Sequence, residues 1–216
     1  MNNLASKTIF LFTALAICQL LIYYLNQTLL TEGILYNDLL EKVNQDQALR
    51  LMERRAQPLI ILLEYSLQVV WLFIRVCFIT LCVVAGCFLF NISFQRSLLF
   101  RAVVIADFIH LVAPLITFLW FSLVDQSYSS HDLNSFTMLS VSELFTTSRD
   151  DPYYSVYRSL KSFNLHELLF CSVLSYQLSN LLGIDWVKAA KAVFISYFSA
   201  LGILALLKAY VAASFL

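Results

Sequence analysis

Residues 102–124, AVVIADFIHLVAPLITFLWFSLV, run for twenty-three positions with only Asp107 and His110 able to ionise. At about 1.5 Å of rise per residue, a helix of that length crosses the roughly 30 Å hydrocarbon core of a bilayer. Few folds tolerate such a run. The rest of the composition agrees with a membrane setting: 60% of the chain is hydrophobic and 13% is charged, about half the charge of a typical soluble domain. Fourteen Lys plus Arg balance fourteen Asp plus Glu, with no run of one sign. A nucleic-acid partner is excluded on that basis.

Reading along the chain gives five apolar spans, 8–25, 69–90, 102–124, 165–182 and 187–213. The expected fold class is all-α: a polytopic helix bundle in a single membrane domain, 1–216, with an amphipathic interfacial helix. The first run resembles a secretory leader. It lacks a small-x-small cleavage site, and Ile17 stands where a lipoprotein signal needs a small residue before Cys18, so it reads as an uncleaved span. Pro58 opens an apolar stretch of thirty-two residues, 59–90, about 48 Å as one helix and too long for the core. A helix starting near Pro58 outside the membrane and entering lipid near Val69 accommodates it, with Glu64 and Arg75 on one face but not touching.

Two segments read as interfacial. Over 34–52, Ile34, Leu35, Leu39, Leu40, Val43, Leu49 and Met52 recur at helical spacings among charged residues, predicting an amphipathic helix; a solvated connector is the plainer alternative. Residues 125–164 are polar but carry Phe136, Phe145, Tyr153, Tyr154 and Tyr157, which suits an ordered loop at headgroup level. Gly183-Ile184-Asp185 offers a helix C′ glycine followed by an N-cap aspartate, making the last two spans a helical hairpin. The short links are basic, which favours a cytoplasmic N-terminus.

Ionisable groups in lipid cost about 2.5–3.5 kcal/mol each on insertion scales, so each one needs a reason. The candidates for a polar network or ion path are Arg75, Asp107, His110, His166 and Glu167. Asp107 and His110 are i,i+3 neighbours on one face. With Glu167 they form a carboxylate–imidazole set suited to relaying protons or binding a divalent ion. The structural alternative is a network that only neutralises its own charges. If the spans either side of residue 96 pack antiparallel, Asp107 falls opposite residue 85, some 15 Å from Arg75 at about 1.5 Å per residue. Glu167 or the interface is then the expected partner of one of the two. The five cysteines, at 18, 77, 82, 87 and 171, all lie inside apolar runs with no C-x-x-C pair and read as small packing residues. There is no G-x-S-x-G, H-E-x-x-H or phosphate-binding glycine loop. Enzymatic activity is not expected, and no catalytic, cofactor or metal site is assigned.

The carboxyl half carries a family pattern. Residues 136–145 (FTMLSVSELF), 163–170 (FNLHELLF) and the stretch 188–205 with Ser196-Tyr197 resemble the Yip-like integral membrane proteins of bacteria, of the uncharacterised kind common in the Bacteroidetes. In this chain Thr137-Met138 replaces the family's Tyr-Pro, and Phe170 replaces a Tyr. The resemblance implies a five-span fold and a bacterial inner-membrane location, and little about mechanism. Eukaryotic Yip-type proteins are trafficking factors that recruit small GTPases, whereas bacterial relatives share no agreed activity. The expected partners are the lipid bilayer, other membrane proteins or a second copy of the chain. The expected function is a non-enzymatic scaffold or accessory subunit of an envelope complex; the alternative is a small transporter or ion-coupled permease using Asp107, His110 and Glu167. Convergence of those three side chains within hydrogen-bond reach around a water-accessible cavity favours the second; separate orientation towards the interface favours the first.

Overall fold

The computed structural model describes residues 2–31, 34, 39–40, 43–125, 128–129, 132–133, 136 and 163–214. Most of the predicted interfacial loop, and much of the first half of the 34–52 segment, lie outside these residues. Among the described residues the fold is all-α, without strands. The elements are α1 (Asn2–Leu25) continued by a π-helical turn (Asn26–Thr31), α2 (Gln45–Arg55), α3 (Pro58–Leu89), α4 (Arg96–Asp107), a 3-10 turn (Phe108–Leu111), α5 (Val112–Leu123), α6 (Leu165–Leu182) and α7 (Trp186–Ser214). The all-α helical class read from the sequence is the one that forms.

Among the described residues, four helical stretches are long and apolar enough to cross a membrane: Ser6–Thr31, Pro58–Leu89, Arg96–Leu123 and Trp186–Val211. Five were expected. The helix predicted over 165–182 forms with those bounds but is not among the four, because His166, Glu167, Gln177 and Asn180 dilute its eighteen residues. Two further expectations are corrected. The 34–52 segment is not one amphipathic helix: Asn44 is extended, at φ −64° and ψ 152°, and its carbonyl accepts from Gln47 and Ala48 to start α2 afresh. Nor is 102–124 one regular helix, since it passes through the 3-10 turn at Phe108–Leu111. Pro114, in the first turn of α5, supplies the reason. Its ring cannot donate a backbone hydrogen bond and clashes with the carbonyl four residues back, that of His110, so the helix restarts around it.

The chain forms two compact units. One contains Met1–Thr8, Val76–His110 and Thr137–Leu216, the other Ile9–Arg75 and Leu111–Phe136. In the first, α6 packs on both α4 and α7, burying Leu99, Val103, Phe170, Leu174, Leu178 and Val193. Gly183 turns α6 into α7 with a left-handed φ of 63°, a conformation that penalises any Cβ. Asp185 Oδ2 then accepts from the Val187 and Lys188 amides at 3.1 and 3.3 Å to cap α7. The end of α3 approaches α7 closely: a Cβ on Gly86 would overlap the Ala192 carbonyl and crowd Ser196 Oγ. Small residues let helix backbones meet in this way.

In the second unit α1 and the first half of α3 run side by side, with edge-on ring contacts between Phe12 and Phe73 and between Tyr23 and Tyr65. Arg55 Nε lies 3.8 Å from Glu64 and its Nη2 donates to Gln27 at 3.2 Å. Phe121 gathers Tyr128 and Phe136, at ring distances of 4.7 and 5.2 Å. The Tyr128 hydroxyl donates to the Leu30 carbonyl at 3.4 Å, and burial pushes its phenol above the ordinary value.

Candidate functional site

The first unit holds a cluster of titratable side chains contributed by α4, the 3-10 turn after it, α6 and α7. Asp107 closes α4 and is fully buried. His110, in the 3-10 turn, places Nε2 3.8 Å from Asp107 Oδ1. The His110 ring lies 4.7 Å from that of His166 and 4.4 Å from Phe170, centroid to centroid. His166 and Glu167 occupy the first turn of α6. Tyr197, near the middle of α7, donates its hydroxyl to Glu167 Oε2 at 2.8 Å.

Local chemistry holds each member in place. Asn164 is the N-cap of α6, extended, with its side-chain oxygen accepting from the Glu167 amide at 2.9 Å. This fixes the first turn, and the positive end of the helix dipole there favours Glu167 as a carboxylate. His166 Nε2 lies 3.0 Å from the Ile109 carbonyl. A carbonyl can only accept, so that nitrogen carries the proton and Nδ1 is the basic one. Ile109 belongs to the same 3-10 turn as His110. The irregular turn therefore positions one imidazole directly and the other through its backbone.

Asp107 stands eleven residues beyond Arg96 and Tyr197 eleven beyond Trp186, where their apolar helical stretches begin. At about 1.5 Å per residue both lie about 16 Å into those stretches. Glu167 is tied to the level of Tyr197 by their hydrogen bond. α6 thus begins level with Tyr197, beside the 3-10 turn that follows α4.

Of the five residues singled out from sequence, Asp107, His110, His166 and Glu167 are brought together. The ligand atoms of His110, His166 and Glu167 lie within 4.8 Å of one another. Arg75 belongs to the other unit, and there its Nη2 donates to Gln19 Oε1 at 3.4 Å, a partner the sequence reading did not name. Gln19 also lies near the middle of its span, Ser6–Thr31. Tyr197 was missed as a site residue, because a tyrosine in an apolar run carries no signal of its own. All five cysteines are free thiols, with Cys82, Cys87 and Cys171 buried. The second unit has an open cleft of about 480 Å³, lined in part by Tyr23, Gln27, Arg55, Glu64 and Tyr65.

Comparison with models of protein families, with curated proteins and with solved structures finds no match to this chain.

Proposed function

We propose that this chain is a small transporter or ion-coupled permease in which the cluster of Asp107, His110, His166, Glu167 and Tyr197 handles a cation within the membrane. The observation that carries this reading is the convergence of four titratable side chains, one of them fully buried, where a span breaks and a second helix begins. Ionisable groups there are costly, and they mark ion or proton paths more often than architecture. Broken helices whose ends meet near the midplane are also how secondary transporters expose backbone and side chains to an ion. The enclosing helices supply the apolar walls, and the two imidazoles and two carboxylates supply the polar groups.

The test is flux in sealed vesicles containing the purified full-length chain, with a pH-sensitive dye inside and Zn²⁺ or Mn²⁺ offered outside. Wild type should move protons or metal above empty vesicles. Glu167→Gln and Asp107→Asn should each lower that flux at least tenfold while the thermal midpoint of the protein changes little. Equal flux in the variants, or none in wild type, overturns the reading.

The scaffold reading has one observation in its favour. Of the residues of Ser6–Thr31 only Leu15 and Leu30 are buried, while Ile9, Phe10, Ile17 and Leu21 are exposed. That apolar face is covered by lipid or by another membrane protein. Stoichiometric co-purification of a second chain that is lost when Phe10 and Leu21 become Ala would move the assignment towards an accessory subunit.

A further inference from the structure

We propose that His110, His166 and Glu167 are the ligands of a divalent transition-metal ion, with Asp107 as an additional carboxylate and Tyr197 orienting Glu167. This rests on the cation-handling reading above and names the cation.

The spacing is close to what an ion needs. A point equidistant from three atoms 4.8 Å apart lies about 2.8 Å from each, against Zn–N and Zn–O bonds of about 2.0–2.2 Å. The ligands must close by roughly 0.7 Å, within reach of small side-chain rotations. The donor set selects the metal class. Two imidazoles with carboxylates suit Zn²⁺, Mn²⁺, Fe²⁺ or Co²⁺; Mg²⁺ and Ca²⁺ prefer oxygen alone, and Cu⁺ prefers sulfur.

The outer contacts are those that metal ligands use. A ligating imidazole commonly donates its second N–H to a backbone carbonyl, which fixes the tautomer and raises ligand basicity. His166 does this through Nε2 to Ile109. A ligating carboxylate is commonly held by a hydrogen bond on one oxygen, as Tyr197 holds Glu167 Oε2. The ligands come from the 3-10 turn and the first turn of α6. An ion would therefore tie the broken span to the helix that starts beside it.

The test uses the full-length chain carrying a histidine-free affinity tag, in lipid nanodiscs, titrated with Zn²⁺ against a chromophoric chelator and separately with Co²⁺. Wild type should bind one ion per chain and give visible Co²⁺ absorption bands of mixed nitrogen and oxygen ligation. His166→Ala and Glu167→Gln should weaken binding at least a hundredfold. Tyr197→Phe, which keeps the ring and its packing, should weaken it about tenfold. His131→Ala, at the chain's third histidine, should bind as wild type does. The cobalt spectrum of wild type needs no variant, so poor folding of a ligand variant leaves the test decisive. The inference is overturned if wild type binds no ion, or if His131→Ala abolishes binding. Glu167-dependent proton flux in a protein that binds no metal overturns the metal site and keeps the transport reading. One bound metal with no flux supports the site and overturns transport.

Discussion

Asn164 shows how much of the site depends on a residue that takes no part in its chemistry. Its side chain accepts from the Glu167 amide, and losing an N-cap of this kind costs about 1 kcal/mol. Asn164→Ala should lower stability by about that amount in a thermal melt in detergent, and Asn164→Ser should restore most of it. Equal melting of Asn164→Ala and wild type would show that the cap does not support α6. At this scale the sequence was a partial guide. Asp107 and His110 were legible because i,i+3 spacing on a helix is a rigid constraint, and His166 and Glu167 because charge at the start of an apolar run is rare. Tyr197 and Gln19 were not, since the partner of a buried polar group is set by tertiary packing rather than by local pattern.

Two elements carry predictions of their own. The restart of the third span depends on Pro114, so Pro114→Ala should let regular helix extend through 108–114. Amide hydrogen exchange across 109–113 should slow by at least tenfold. Unchanged protection would place the cause of the break elsewhere. The second element is the contact of α3 with α7. Gly86→Val adds bulk where even a methyl would overlap the Ala192 carbonyl, and overpacking of this kind costs about 1–3 kcal/mol. The expected result is a lower thermal midpoint with protein still inserted in the membrane; a wild-type midpoint would contradict the close approach. Long apolar runs and the Gly183–Asp185 turn were readable because hydrophobicity and capping are local properties. The 3-10 turn and the restart at Asn44 were not anticipated. A proline in the first turn of a helix and a break before one look alike in sequence, and amphipathic spacing carries across a short interruption.

For the molecule as a whole, α4 and α7 both run antiparallel to α6: His110, just past the end of α4, meets His166 in the first turn of α6, and Tyr197 reaches back across the hairpin to Glu167. Their starts, near Gln95 and Asp185, therefore belong to the same side of the membrane. Single cysteines at Gln95→Cys and Asp185→Cys, introduced after the native thiols are replaced, should react with an impermeant maleimide from the same side. Labelling from opposite sides would refute this arrangement. The all-α, membrane-spanning class was fully legible, because apolar length alone decides it. Apolar length does not decide the number of spans: α6 has the length, but His166, Glu167, Gln177 and Asn180 lower its hydropathy.

That mixed character of α6 has a consequence for how the chain is made. Alone at the translocation channel, a helix carrying His166, Glu167, Gln177 and Asn180 partitions poorly into lipid. The left-handed turn at Gly183 delivers α7 immediately behind it, folded back so that the Tyr197 hydroxyl can meet the Glu167 carboxylate. The two helices therefore enter as one hairpin, the second acting as chaperone to the first, and in a nascent chain released before α7 emerges a cysteine placed in α6 should react with an impermeant maleimide that fails to reach it in the full-length chain.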